Sequence, residues 1–332
     1  MRQRRQLVSQ KRCSNIGIVS AQGTTRPIGA AAPISSDATF GLIKDYISLK
    51  KPKIISLLLI STCCPMVLAS GGQVSLAKVI WALVGGALMT ASASAINCIW
   101  DADIDALMER TKDRPMACGR VSVLGAFLFS ILLGAIGLYV FFHFLNPLAA
   151  AISLGGHLFY VLVYTMWLKR TTPQNIVIGG AAGAVPPLVG WAAVTGDIGL
   201  DALLMFLVVF LWTPPHFWAL ALNRNKDYQR ASVPMLPVVS GEKETHKQML
   251  YYAIALLPVS LWLVYNNQYL GWFSFVVMGG AGVIFIQKIL RMMSVFNKSP
   301  EVKEKATWGV FGFSLIYLAV FFMCMVVDAI LI

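Results

Sequence analysis

Residues 77–114 read AKVIWALVGGALMTASASAINC, up to Cys98, and then IWDADIDALMERTKDR. The first part is apolar and carries one charge, Lys78. A helix crossing the hydrocarbon core of a bilayer needs about 20 mainly apolar residues, and this stretch supplies them. At Asn97 the character changes. Asp101, Asp103 and Asp105 follow within a few residues, then Glu109, Arg110, Lys112, Asp113 and Arg114. The segment reads as a membrane span that ends at a charged surface. Working outward, the same criterion gives eight more spans, at roughly 54–71, 121–143, 147–168, 175–195, 201–222, 249–266, 270–289 and 307–329. The expected fold class is all-α, a polytopic membrane bundle of about nine transmembrane helices. Composition agrees, with 57% hydrophobic and 13% charged residues and a mean hydropathy of +0.70. Soluble globular chains carry about 25% charged residues, so a water-soluble domain is excluded.

The net charge of +12 fits this picture better than it fits nucleic acid. No basic stripe lies on a soluble module, so no nucleic-acid partner is expected. With the N-terminus cytoplasmic, the inner segments are 1–53, 99–120, 169–174, 223–248 and 288–306. They hold 26 of the 27 Lys and Arg residues, and only Lys78 falls outside. Cytoplasmic loops concentrate Lys and Arg, so the count supports nine spans with the N-terminus in and the C-terminus out. Chemistry on a charged substrate then belongs to the cytoplasmic side. Residues 1–40 are basic, and no apolar run marks a secretory signal. Two readings of this tail stay open. It is a disordered cytoplasmic tail near anionic lipid, or a mitochondrial presequence. Gly17, Gly23, Pro27, Gly29 and Pro33 interrupt a long amphipathic helix and favour the first. The matching locations are the bacterial inner membrane and, as the alternative, the mitochondrial inner membrane. Residues 41–332 form one transmembrane domain. The six cysteines show no CxxC spacing and read as small apolar fillers rather than a zinc site or disulfide framework.

Asn97, Asp101 and Asp105 fall at i, i+4 and i+8, stacked on one helix face, while Asp103 points away. Like charges at this spacing repel, and a carboxylate near bilayer depth costs about 2.5–3.5 kcal/mol. Two on one face call for a cation. Mg²⁺ suits the pair because it takes one or two carboxylates, keeps waters and completes its shell with substrate phosphate oxygens. Arg110, Lys112 and Arg114 suit the same phosphate chemistry. Asp103, Glu109 and Asp113 read instead as a solvated loop neutralised by those cations.

A second charged segment leaves the membrane on the same side, from Trp212-Thr213-Pro214-Pro215-His216 to Asn223-Arg224-Asn225-Lys226-Asp227-Tyr228. Asn223 and Asp227 repeat the spacing of Asn97 and Asp101, but Ala231 stands where a third acid would complete the echo. Pro234 to Gly241 reads as a structured loop. His216 lies about two turns inside its span, and an intramembrane ionisable residue is a functional candidate. A neutral histidine packed among aromatics is the competing reading. Lys169 and Arg170 form a third basic pair, read either as topology anchors or as an acid-binding patch at the mouth of a cavity.

These features resemble the intramembrane prenyltransferases of the UbiA superfamily. The resemblance is carried by Asn97-x-x-x-Asp101-x-x-x-Asp105, by Arg110-Thr111-Lys112-Asp113-Arg114-Pro115-Met116, and by the second acidic loop at Asp227. It covers roughly residues 40–328. Most members have Asp directly after that Asn, where this chain has Cys98. That departure, with Trp212–Leu220, Lys169-Arg170-Thr171 and Asp227-Tyr228 through Pro237, is similar to the protohaem IX farnesyltransferase (haem O synthase) branch. The resemblance implies a single transmembrane prenyltransferase domain over 41–332 with a lipid-accessible cavity. It implies farnesyl diphosphate and haem B as substrates, Mg²⁺ as the metal, and association with a downstream haem-modifying membrane enzyme. In roles, it implies Asp101 and Asp105, oriented by Asn97, on Mg²⁺. Asp227, with Asn223, supports a second ion or its water. Arg110, Lys112 and Arg114 meet the diphosphate, with Lys169, Arg170 and Arg224 as further substrate-binding cations and His216 at the haem. Trp100, Tyr160, Tyr164 and Trp212 are candidates to shield an allylic cation. Two rivals remain: the same chemistry on an aromatic acid or chlorophyll precursor, and a membrane transporter.

Overall fold

The computed structural model describes residues 36–332, and every described element is a helix or a turn. The expected tail, 1–40, therefore lies almost wholly outside the described residues. Helix α1 spans Ser36–Leu49 and lies at the start of the bundle. The bundle itself is α2 (Pro52–Ala69), α3 (Leu76–Trp100), α5 (Val123–Phe144), α6 (Pro147–Thr171), α7 (Asn175–Thr195), α8 (Leu200–Asn223), α11 (Gly241–Asn266), α12 (Trp272–Ser294) and α13 (Pro300–Leu331). Short helices α4 (Ala102–Leu107), α9 (Asn225–Arg230) and α10 (Leu236–Val239) lie in the connections. Eight of the bundle helices are long and apolar enough to cross a bilayer. The ninth, α2, has a shorter apolar stretch, Ile55–Ala69.

A helix stands at each of the nine expected spans, and α12 runs on to Ser294 rather than ending near 289. Helix α11 begins at Gly241 rather than near 249, and α13 at Pro300 rather than near 307. Their first turns are polar and stand above the apolar run, where hydropathy has no signal. Lys303 and Glu242 pair across them at 2.6 Å. The loop expected over 234–241 contains the one-turn helix α10.

Local sequence explains the turns. Asn146 Oδ1 accepts from the Ala149 amide at 2.8 Å and Pro147 opens α6, so α5 and α6 join in a tight cap. Ser122 caps α5 through Gly125 N at 3.1 Å. Helix α7 closes on Gly196 at φ 75°, a backbone conformation that suits glycine.

The nine helices pack in a ring in chain order, with α13 closing against α2. The two largest chords across it are α2 on α7 and α8 on α13, and α3 also reaches α6. At the first, Gly190 lies so close to α2 that an added Cβ would sit 2.0 Å from the Thr62 carbonyl oxygen. Small residues permit such approach between membrane helices. The ring's outside carries Phe127, Leu128, Ile131 and Leu132 on α5 and Val276 on α12, all exposed. In water such a belt would be a liability; against lipid it is the expected surface.

Polar contacts separate the two ends of the bundle. At one end Lys51 meets Asn97, Arg120 meets Asp45, Arg170 meets Asp103, and Arg230 meets Glu109. At the other, Asn266 and Asn267 hold Asp201, and Asp328 receives the amides of Gly271 and Ser274. The basic segments assigned to one side by counting thus gather at one end.

Candidate active site

A cavity of about 460 Å³ opens within the ring toward the basic end. Its charged rim is built from four elements. Helix α3 brings Asn97, and the segment after it brings Asp105, Arg110 and Arg114. Helix α6 brings Tyr160, Tyr164 and Lys169, and Lys51 stands at the foot of α2.

Asn97 organises the rim. It is buried, and its amide donates to Asp101 Oδ2 at 2.8 Å and to Thr165 Oγ1 at 3.1 Å. Its carbonyl accepts from Lys51 Nζ at 2.5 Å. Lys51 holds a left-handed backbone, φ 52°, directly before Pro52. A non-glycine residue there is strained, and such strain gathers at functional sites. The Lys51 ammonium, read in the sequence only as one of several topology charges, is therefore part of the cavity wall.

Asp101 is fully buried, and Lys169 donates to its Oδ2. Both donors thus converge on one oxygen, and Oδ1 is buried with no partner. Asp105 is buried at the cavity wall and paired with Arg114 at 2.6 Å. Asp103 points outward, is well exposed, and is paired with Arg170 at 2.6 Å. The Arg170 hydrogen bond holds the Asp103 carboxyl below its ordinary range. The helix-face reading of these three aspartates agrees with their placement, although α3 ends at Trp100 and Asp101 caps it. The i to i−4 bonds continue through the break, from Asp101 N to Asn97 O and from Asp105 N to Asp101 O.

The other expected residues divide. Arg110 and Arg114 reach the cavity, whereas Lys112 pairs with Glu109 at 2.6 Å on the surface. Arg170 donates to Asp103 and the Trp100 carbonyl, outside the cavity. Arg224 is exposed, stacked over Trp308. Asp227 is buried near Arg230, at 3.8 Å, and Arg230 also lies 3.6 Å from Glu109. The two acidic segments therefore face each other across one rim, with Tyr228 beside Arg110 at the wall. Asn223 Nδ2 and Asn225 Oδ1 are buried without partners. Tyr160, Tyr164 and Trp212 line the cavity, but Trp100 is 43% exposed and does not.

Helix α6 contains a feature the sequence did not signal. Residues Phe159–Leu168 are π-helical. The wider i to i+5 turn brings Tyr160, Tyr164 and Lys169 onto one line facing the cavity, where an α-helix would rotate Lys169 away. Deeper in, His216 lies between Trp212 and Phe311 rings, with centroids 4.4 and 4.8 Å away.

The acidic rim suits Mg²⁺. Among the described residues no three His, Cys, Asp or Glu side chains converge, so an all-protein cage is absent. Two carboxylates, one with a sealed unpartnered oxygen, match an ion that keeps waters and phosphate oxygens in its shell.

The sequence profile of the UbiA prenyltransferase family matches residues 57–315. The chain belongs to this family. Similar proteins include a protoheme IX farnesyltransferase of Synechocystis sp., 45% identical over 88% of this chain and 91% of that protein. One of Chloroflexus aurantiacus is 47% identical over 88% of this chain, which spans only 48% of that longer relative. Among solved structures, one described as a digeranylgeranylglyceryl phosphate synthase in membranes superposes with a TM-score of 0.71 at 19% identity, covering 87% of this chain and 99% of that one. A UbiA homolog from Archaeoglobus fulgidus bound to DMAPP and Mg²⁺ gives 0.58 at 17% identity, over 85% and 99%. These structures support the family's fold.

Proposed function

We propose that this chain is a protohaem IX farnesyltransferase of the haem O type. The observation that carries it is Asp105 at the wall of an apolar cavity and Asp101 fully buried one helical turn away, held with Asn97, Lys51, Lys169 and Arg114. The farnesyl C1–O bond breaks and diphosphate leaves. The allylic carbon bonds to a vinyl carbon of haem B, water adds to the adjacent carbon, and one proton is lost. Asp101 and Asp105, oriented by Asn97, hold Mg²⁺; Asp227 with Asn223 supports a second ion or its water. Bound Mg²⁺ supplies positive charge to the departing diphosphate. Lys51, Arg110, Arg114 and Lys169 bind its remaining oxygens, and their charge gains most in value as the bond breaks. Lys112, Arg170 and Arg224 lie outside this contact and draw the anion toward the rim. Tyr160 and Tyr164, with ring centroids 5.4 Å apart, stand where an allylic cation would form. His216 meets the haem.

Both substrates dissolve in lipid, while diphosphate and propionates need the basic rim. We place the protein in the bacterial inner membrane with the rim cytoplasmic, or in the mitochondrial inner membrane if residues 1–35 act as a presequence. The product passes to a haem-modifying membrane enzyme. The test is purified protein with farnesyl diphosphate, Mg²⁺ and either haem B or an aromatic acid. The expected product is haem B with one added farnesyl and one hydroxyl group. A prenylated aromatic acid, with haem B unchanged, would overturn the assignment of the acceptor.

A further inference from the structure

His216 is 7% exposed and held on three sides. Trp212 and Phe311 cover its two faces, and its Nδ1 lies 2.7 Å from Ser314 Oγ. The Ser314 hydroxyl has one proton, which it donates to the Phe311 carbonyl at 2.6 Å. Ser314 Oγ therefore accepts from His216, and Nδ1 carries the imidazole proton. The Ser314 carbonyl also receives Trp212 Nε1 at 2.7 Å. One buried residue of α13 thus fixes the histidine's proton and the ring stacked on it. What remains of the imidazole is Nε2, a lone pair with no partner among the described residues, on a side chain that lines the cavity. That nitrogen is not among the sealed, unpartnered atoms of the described residues, so it is open to the cavity, where a ligand can reach it.

We propose that Ser314 is a positioning residue that holds His216 as its Nδ1–H form, so that Nε2 binds the iron of the haem substrate. This rests on the haem reading above. His216 lies seven residues before Asn223, about 10 Å along the helix axis from the rim. An acceptor behind a ligating imidazole raises its basicity, and loss of such an acceptor costs about 10–100-fold in metal affinity. His157 offers an internal comparison. It lines the same cavity, and its Nδ1 donates to the Met89 carbonyl at 3.3 Å, but no ring stacks on it among the described residues.

The test is resonance Raman spectroscopy of the ferrous protein loaded with haem B, with haem affinity measured alongside. Wild-type protein should show an iron–histidine stretch. Ser314→Ala should lower that frequency and weaken haem binding about tenfold or more, while Mg²⁺-dependent farnesyl diphosphate binding stays. Ser314→Thr, which keeps the hydroxyl, should restore both. His216→Ala should abolish the stretch, and added imidazole should bring one back. A wild-type frequency in Ser314→Ala overturns the proposal, as does a stretch that survives in His216→Ala and vanishes in His157→Ala. Haem B bound normally with no iron–histidine stretch defeats this inference alone. No haem binding by wild-type protein defeats the acceptor assignment itself.

Discussion

Asn97 shows why one amide stands among charges. It gives hydrogens to Asp101 and Thr165 and an oxygen to Lys51, so every polar atom of its side chain is engaged. An aspartate there would add a second negative charge against Asp101. The aspartates downstream give a contrast between two equal charges. Asp105→Asn keeps shape and removes a buried anionic ligand at the cavity wall. Turnover in steady-state assays should fall by at least about 10²-fold, roughly 2.7 kcal/mol, with a smaller change in KM. Asp103→Asn breaks an exposed ion pair and should cost no more than about fivefold. Equal losses in the two would remove the case for a one-faced metal site. Lys51→Met keeps the packing stem and removes the ammonium, so farnesyl diphosphate affinity should fall in a binding titration while haem affinity holds. Lys169 stayed open between a topology anchor and an acid-binding patch, but the stacking of Asn97, Asp101 and Asp105 was legible because helical spacing and depth are written in the sequence. Lys51 was not. Its neighbours Lys50, Pro52 and Lys53 make it one of a basic run, and only the close approach of α2 to α3 singles it out.

Helices carry their own information, and some of it is hidden from periodicity. The nine spans were legible because apolar length is a property of composition. The π-helical stretch of α6 was not, because hydrophobic patterning over Phe159–Leu168 is the same whichever carbonyl each amide reaches. The polar first turns of α11 and α13 escaped for a related reason, lying outside the apolar run. Glycine positions on α7 make the packing testable. A Cβ at Gly179 would lie 2.2 Å from Tyr164 Cδ2, and one at Gly190 would lie 2.0 Å from the Thr62 carbonyl. A Cβ at Gly183 meets nothing within 4 Å. Gly190→Ala should separate α2 from α7 at a cost of about 1–3 kcal/mol and lower the thermal midpoint in detergent. Gly183→Ala should leave that midpoint unchanged or raised. A midpoint in Gly190→Ala no lower than in Gly183→Ala would mean that the α2–α7 crossing is looser than described.

At the scale of the whole molecule, a ring of helices encloses an apolar space and gathers the described cations, Lys78 apart, at one end. Sidedness can be read by labelling single cysteines in a background without the six native ones. Positions 113, 172, 243 and 299 should react from the cytoplasm, and position 197 from the opposite side. Reaction of position 243 from the outer side would contradict the arrangement of nine spans. In the proposed reading one cavity takes both parts of the substrate, the lipid-soluble chain among apolar walls and the diphosphate at the rim. In the proposed mechanism, ionisation of the prenyl diphosphate depends on the buried carboxylates acting with Mg²⁺. Diphosphate release by the purified protein in lipid nanodiscs, supplied with farnesyl diphosphate and haem B, measures this directly. Release should require Mg²⁺, stop on chelation, and fall at least about 10²-fold in Asp101→Asn. Release that continues at the wild-type rate after chelation, or in Asp101→Asn at low Mg²⁺, would contradict the account.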